Sequence, residues 1–224
     1  MVSILLLNIG RPEMYDLTMP KWLAQEGVEF EIIYGHGPLV HVPDDPRVKP
    51  VPMDKFAMCA NYNRLLAEAK GEFLLVTQSD MEVNDPRQIA KMAEAWRPGR
   101  MVTERFIKDG KRDPGIFIQF MYIKREDFEP WCEEYDEPGL YGCEDSDIVC
   151  RLLRKGMCYT ILETEDDLAV RHIWHPSPDY TIKANMDKVV KAKELLFKRQ
   201  GSGIYRIFAE EFAKQMMEKR HAQV

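Results

Sequence analysis

Short apolar runs that alternate with stretches of helical spacing constrain the fold of this chain more than any other feature of the sequence. Residues 2–7, 28–34 and 73–77 have the length and composition of buried strands, and glycine, proline or polar residues follow them. Residues 13–25 and 58–69 carry apolar side chains at helical spacing. Strands that alternate with helices form a largely parallel sheet with helices on both faces. The predicted fold class is therefore α/β, with a mixed, mostly parallel sheet flanked by helices.

Glycines mark the predicted ends of two helices. Gly71 follows the helix at 58–69 and is expected to close it in the left-handed conformation, which glycine adopts without steric cost. A helix at 144–155 is expected to end at Gly156. Two amphipathic helices, at 181–199 and 204–220, complete the predicted chain.

The length, charge and cysteine content exclude several classes of protein. The 224 residues, 45% of them hydrophobic, suffice for one sizeable core, so a single domain is expected. A net charge of -6 gives no basic surface for phosphates, which argues against nucleic acid as a partner. No run reaches the roughly 18 apolar residues of a membrane span. The five cysteines are scattered and never spaced as CxxC, which indicates neither disulfides nor structural zinc and favours a cytoplasmic location.

Three polar clusters follow apolar segments, where an α/β protein places its ligand-binding residues. Gln78-Ser79-Asp80 comes directly after the strand at 73–77, and its carboxylate suits Mg²⁺ or Mn²⁺, although taken alone a plain turn is the simpler interpretation. The acids at 144–147 lie at the start of a predicted helix, where they could act in catalysis or only stabilise the helix end. The histidine pair at 172 and 175 could share a metal or be structural.

The order and spacing of these clusters agree with a known pattern. Asn63 and Gly71 precede the strand and Gln78-Ser79-Asp80, and Arg-Glu-Asp-Phe at 125–128, Gly-Cys-Glu-Asp-Ser-Asp at 142–147 and Arg171-His172 follow. This series resembles the GT-A glycosyltransferases, in particular the inverting family 2 and the beta-1,4-galactosyltransferases, and the Glu-Asp block is its most specific element. The resemblance implies a metal-dependent enzyme that moves a sugar from a UDP- or GDP-sugar to a carbohydrate or other hydroxyl acceptor with the help of Mn²⁺ or Mg²⁺.

The resemblance also implies a division of the chain and a role for individual residues. Residues 1–96 would bind the nucleotide-sugar, 97–180 would hold the acceptor and the catalytic groups, and 181–224 would form C-terminal helices. The implied metal ligands are Asp80 and His172, with His175 as an added candidate. Asp145 is implied as the general base and Glu144 as the neighbour that orients acceptor or donor. The implied nucleotide contacts are Asn8, Gly10, Arg11, His36, Asn63, Gln78 and Ser79.

Other positions carry open alternatives. Tyr141 and Trp131 are candidate acceptor contacts, although for Trp131 packing is the favoured interpretation. Asp147 is expected to stabilise a helix end or form a salt bridge. Gln78 stands where the family pattern has an acid, so a non-catalytic protein that binds carbohydrate or nucleotide is one alternative. A retaining transferase and a sugar nucleotidyltransferase are further alternatives, because both can have a metal site at the end of a parallel strand. A nucleotidyltransferase would need a glycine-rich basic loop after the first strand, of which residues 10–11 are a minimal version.

Overall fold

Strands and helices alternate along the first half of the chain in this computed structural model. It describes residues 1–53, 57–104, 107–108, 111–112, 120–138, 140, 143–162, 170–173, 182–201 and 203. The strands within these residues are β1 (Val2–Asn8), β2 (Phe30–His36), β3 (Val48–Pro52), β4 (Phe73–Gln78), β5 (Met81–Val83), β6 (Arg100–Glu104), β7 (Ile107–Lys108), β8 (Lys111–Arg112), β9 (Phe120–Lys124), β10 (Cys158–Leu162) and β11 (Val170–His172). The α-helices are α1 (Pro12–Leu23), α2 (Met58–Glu68), α3 (Gln88–Ala95), α4 (Glu144–Arg154) and α5 (Ile182–Gln200), and short 3₁₀ helices lie at Arg125–Asp127 and Glu133–Asp136.

The central sheet has seven strands in the order β10-β6-β9-β4-β1-β2-β3. Strand β9 runs antiparallel to both of its neighbours, and the other neighbouring pairs are parallel. This is the mixed, mostly parallel α/β sheet that the sequence predicts. A smaller sheet pairs β5, β11, β7 and β8 in that order. The carboxyl ends of β1, β2, β4 and β6 therefore lie along one edge of the central sheet, and β5 and β11 begin the smaller sheet beside β4.

Both faces of the central sheet are buried, which explains why the first strand is apolar without alternation. Leu5 and Leu7 of β1 belong to a core cluster that includes side chains from α2 and α4. Ile4 and Leu6 belong to the opposite cluster, which includes side chains from α1 and α3. Alternate residues of one strand thus face different helical layers, as the pleat of a strand requires.

Gly71 has a different role from the predicted one. Helix α2 ends at Glu68, Ala69 follows in an extended conformation, and Gly71 is not among the described glycines with positive φ. The prediction of a left-handed cap at Gly71 is therefore wrong. A Cβ at this position would lie 2.6 Å from the backbone nitrogen of Ser3, so glycine is needed for the close approach of two chain segments. Helix α4 ends at Arg154, close to the predicted end at Gly156, and Gly156 has a φ of 84°.

The C-terminal part of the chain is described only as far as α5 and the two residues 201 and 203. The predicted helix at 204–220 lies outside the described residues. None of the helices in the described part of the chain is long and apolar enough to cross a membrane.

Candidate functional site

Three of the predicted nucleotide contacts end neighbouring strands of the central sheet. Asn8 ends β1 and pairs with His36 at the end of β2, while Gln78 ends β4 and pairs with Leu7 of β1. The register therefore brings Asn8, His36 and Gln78 together at the carboxyl edge. In parallel α/β sheets this edge is where ligands bind.

The buried amide of Asn8 shapes the loop between β1 and α1. Its Nδ2 donates to the carbonyl oxygen of Arg11 at 3.0 Å, and its Oδ1 accepts from the backbone N–H of Arg11 at 3.2 Å. Nδ2 also donates to the hydroxyl of Tyr34 at 3.3 Å. Gly10 lies exposed in the same loop, with open space where a Cβ would stand. Asn8 therefore fixes the backbone of Arg11 on both sides, and Gly10 leaves the surface of the loop open.

The loop after β2 packs against the loop after β1. The ring of His36 stacks on Tyr34 with centroids 6.1 Å apart, and its Nδ1 lies 3.2 Å from the carbonyl oxygen of Gly37. A Cβ on Gly37 would lie 1.9 Å from the carbonyl oxygen of Ile9, so only glycine fits between the two loops. Burial raises the pKa of Tyr34 to about 12, so this phenol stays neutral at physiological pH.

Asp80 lies in the turn between β4 and β5, where it forms an ion pair with the first loop. The Nη1 of Arg11 lies 2.8 Å from its Oδ2, and the side chain of Asp80 is 10% exposed. The backbone carbonyl of Asp80 accepts from the N–H of Ile173 at 2.7 Å, and His172 pairs with Met81 across β11 and β5. The fold thus brings the backbone of His172 beside the turn that carries Asp80, as two ligands of one metal would require.

The turn that carries Asp80 also contacts helix α1, and the nearby acid Glu82 forms ion pairs of its own. The hydroxyl of Thr18 donates to the carbonyl oxygen of Ser79 at 2.8 Å. Glu82 forms ion pairs with Lys21 of α1 and, at 2.7 Å, with Arg171 of β11. Burial by itself would raise the pKa of Glu82, but the hydrogen bond from Lys21 and the charge of Arg171 outweigh it and lower that pKa. Glu82 is therefore an ionised carboxylate neutralised by two cations.

Glu144 and Asp145 form the first turn of α4. The preceding residue, Cys143, has a φ of 73°, the only positive φ of a non-glycine residue in the described part of the chain. Burial raises the pKa of Glu144 to about 8, and the charge of Asp145 and a hydrogen bond between the two side chains add to the rise. The two carboxyl groups therefore share a proton near neutral pH, with Glu144 as the protonated partner.

Tyr62 of α2 joins the two acidic clusters. Its hydroxyl donates to the carbonyl oxygen of Thr77 at 2.7 Å, so its ring lies beneath the end of β4. Burial raises the pKa of Tyr62 well above its ordinary value, and the charges of Asp80, Asp145 and Glu144 raise it further. The charges of both acidic clusters therefore act on one tyrosine. Sequence reasoning missed Tyr62, because its only signal is its place beside Asn63 in a helix.

Asn63 and Trp131, both predicted to contact ligands, are bonded to each other. The Oδ1 of Asn63 accepts from the backbone N–H of Trp131 at 2.8 Å, and its Nδ2 donates to the carbonyl oxygen of Trp131 at 3.0 Å. The Trp131 ring is 3% exposed and stacks on Tyr62 with centroids 4.7 Å apart. Trp131 therefore packs in the core, which is the interpretation that the sequence favours for it. Ligand contacts by either residue stay predictions.

Two further acids hold the site together. Asp136 accepts from the backbone N–H groups of Cys59 at 2.9 Å and Ala60 at 2.7 Å, and so caps the first turn of α2 from a distant segment. Asp147 is fully buried and forms ion pairs with Arg151 and Arg199, which confirms its prediction as a salt-bridging acid.

The remaining predicted site residues cannot be placed. Tyr141 and His175 lie outside the described residues. Among the residues that are described, no group of three or more histidine, cysteine, aspartate or glutamate side chains could hold a metal ion by itself.

The mixed seven-stranded sheet with its smaller neighbouring sheet is the fold of the GT-A glycosyltransferases. No protein-family model matches the sequence, and no curated protein is significantly similar to it. Among solved structures, S. aureus TarS 1-349 in complex with UDP-GlcNAc matches with a TM-score of 0.65 at 13% identity, over 94% of this chain and 71% of that one.

Two further structures give the same result. The longer S. aureus TarS structure matches with a TM-score of 0.65 at 12% identity, and the match spans 94% of this chain but only 42% of that one. The mannosyltransferase PcManGT from Pyrobaculum calidifontis, in complex with GDP-Man and Mn²⁺, matches with a TM-score of 0.59 at 11% identity, over 99% of this chain and 79% of that one. At these identities the likeness establishes the fold.

Proposed function

We propose that this chain is a glycosyltransferase that moves a sugar from a nucleotide-diphosphate sugar to a hydroxyl acceptor with inversion at the anomeric carbon. The observation that carries the proposal is that Asp80 and the Glu144–Asp145 pair all act electrostatically on one buried residue, Tyr62, whose hydroxyl donates to the carbonyl oxygen of Thr77 near the end of β4. A sugar transfer needs one group that compensates the charge of the leaving diphosphate and another that takes the acceptor proton. Asp80 could hold a cation that compensates the diphosphate, and the Glu144–Asp145 pair could take the acceptor proton.

The donor is proposed to bind across the ends of β1, β2 and β4, within residues 1–96. Asn8, Gly10, Arg11 and His36 line the first two loops, and Gln78 and Ser79 follow β4. The guanidinium of Arg11 is a suitable partner for a diphosphate because its planar donors match phosphate oxygens. The UDP-GlcNAc and GDP-Man complexes of the structural neighbours support a UDP- or GDP-sugar as the donor.

A divalent cation, Mn²⁺ or Mg²⁺, is proposed as the cofactor, and the residues at the β4–β5 turn fit one. Asp80 offers a hard oxygen ligand, His172 is aligned beside it on β11, and His175 is a further candidate. One carboxylate together with substrate phosphates is a usual ligand set for such a cation. A bound cation would compensate the charge that develops on the departing diphosphate. The Mn²⁺ complex of PcManGT supports this assignment.

Asp145 is proposed as the general base. The acceptor oxygen forms a bond to the anomeric carbon while the bond from that carbon to the diphosphate breaks, and the hydroxyl proton passes to the carboxylate of Asp145. The raised pKa of Glu144 makes it the protonated partner of the pair, so its carboxylic acid can donate a hydrogen bond to Asp145. Glu144 would also orient the acceptor, and Tyr141 and Trp131 remain candidates for contacts with a sugar ring in residues 97–180.

A binding protein without catalysis is the second candidate, and the neutral Gln78 favours it. Thermal-shift measurements with a panel of nucleotide-sugars, with and without Mn²⁺, show which donor the protein binds, independently of catalysis. An assay for transfer or hydrolysis of the nucleotide-sugar that stabilises the protein then tests whether the chain is an enzyme. Binding without turnover under any metal would support the second candidate, and a product with retained anomeric configuration would refute the inverting mechanism.

A further inference from the structure

The carboxylate proposed to bind the metal already has a cationic partner within the chain. Arg11 Nη1 lies 2.8 Å from Asp80 Oδ2, and the side chains are 29% and 10% exposed. The ion pair joins the loop after β1 to the turn after β4. The guanidinium of Arg11 therefore occupies the carboxylate that is proposed to bind the metal. A partly buried carboxylate is more stable with a positive partner than without one, which gives this ion pair a role before any ligand arrives.

The way the loop is built allows this partner to be exchanged at little structural cost. Both hydrogen bonds from Asn8 hold the backbone of Arg11, while its side chain remains 29% exposed. A change of partner therefore needs rotation of one side chain and no rearrangement of the loop. Because the same loop borders the proposed diphosphate site, the released guanidinium would have phosphate oxygens within its reach.

We propose that Arg11 and the divalent cation are alternative partners of Asp80, and that Arg11 transfers to the donor diphosphate when the cation binds. This inference rests on the proposed function. A guanidinium and a divalent cation on one carboxylate would give the site excess positive charge, and like charges at such distances repel. The phosphates of the donor remove that excess. Cation and nucleotide therefore bind cooperatively, and Arg11 suppresses binding of the cation alone.

Glu82 provides the contrast within the same region. Its carboxylate is 9% exposed and has two cations, Lys21 from α1 and Arg171 from β11. A metal at Glu82 would have to displace both of these cations. Asp80, whose ion pair with Arg11 joins the loop after β1 to the turn after β4, is the proposed place of exchange.

The test measures binding of Mn²⁺ to the purified chain by calorimetry, first without nucleotide and then with UDP or GDP. Arg11→Met should bind Mn²⁺ alone roughly five- to tenfold more tightly than the wild type, because no partly buried ion pair has to be broken. In saturating Mn²⁺ the same variant should bind the nucleotide more weakly. Arg11→Lys keeps the positive charge and should keep weak binding of Mn²⁺ alone.

Arg47→Met is the matched control, because it removes another arginine that pairs with an aspartate, at 2.8 Å from Asp45, and changes the net charge equally. It should bind Mn²⁺ as the wild type does. Unchanged or weaker binding of Mn²⁺ by Arg11→Met, or an equal gain in Arg47→Met, would overturn the inference. Failure of every nucleotide to bind would instead refute the proposed function, since the measurement with Mn²⁺ alone does not depend on a donor.

Discussion

Replacing Asp147 by asparagine should destabilise the fold and leave the chemistry intact. The carboxylate is fully buried and accepts from Arg151 Nε at 2.9 Å, Arg199 Nε at 3.1 Å and Gln200 Nε2 at 2.8 Å. Two of these partners, Arg199 and Gln200, belong to the last turn of α5. The side chain of Asp147 therefore fastens the C-terminal helix to the helix that begins with the proposed catalytic acids.

The size of the effect follows from the burial of this network. Breaking a buried ion pair by neutralising one partner typically costs about 3 to 5 kcal/mol. Arg151 and Arg199 are 19% and 27% exposed, so water can solvate them in part, and asparagine keeps one accepting oxygen. We therefore expect a loss of about 2 to 3 kcal/mol, which lowers the Tm of a chain of this length by roughly 4 to 12 °C.

The prediction can be checked by scanning calorimetry, which measures the Tm of Asp147→Asn and, for comparison, that of Asp145→Asn. The two acids stand in the same turn of α4, but Asp145 contributes to the repulsion that raises the pKa of Glu144. Asp145→Asn should therefore keep or slightly raise the Tm. Below its Tm, Asp147→Asn should turn over substrate like the wild type. A wild-type Tm for Asp147→Asn, or loss of turnover in the folded variant, would refute the reasoning.

Three further predictions concern the site. Asp145→Asn should lower the rate of transfer by about 10² to 10⁴ with nucleotide binding unchanged, and near wild-type turnover would move the base elsewhere. Glu144 has its pKa raised from 4.5 to about 8, so the folded state keeps a proton that the unfolded chain has lost and stability falls as pH rises through this range. Glu144→Gln should therefore gain Tm over the wild type towards pH 8 but not at pH 4, and a constant difference would contradict the assignment. Asp80→Ala should weaken metal-dependent nucleotide binding, measured by calorimetry, far more than Glu82→Ala, and the reverse ranking would place the metal at Glu82.

The periodicity of the sequence was enough to predict several strands of the central sheet and the helices that follow them, but not β6 and β10. The run at 2–7 became β1, the run at 73–77 became β4, and the segment at 144–155 became α4. The signals for these elements lie within the segments themselves, because a strand buried on both faces is apolar throughout and a helix has apolar residues at helical spacing. The prediction for Gly71 failed because the glycine serves a contact with Ser3, which is distant in the chain.

The position of acids at the ends of strands and helices was likewise visible in the sequence. Asp80 follows a strand, and Glu144 and Asp145 open a helix, so the residue types and their local setting could be named in advance. Asn63 and Trp131 could be named only as candidates. Each has polar groups that suit a ligand, and nothing local indicates that these groups bond to each other.

The sequence by itself determined the apolar runs that form buried strands, and it showed that Asp80 follows a strand while Glu144 and Asp145 open a helix. The tertiary structure decided how those carboxylates are neutralised: Arg11 with Asp80, Lys21 and Arg171 with Glu82, and a shared proton between Glu144 and Asp145. Burial and periodicity depend on neighbours along the chain, so they can be read from it. The charge state of a carboxylate depends on the groups within a few ångströms in space, and the fold brings most of these from distant positions.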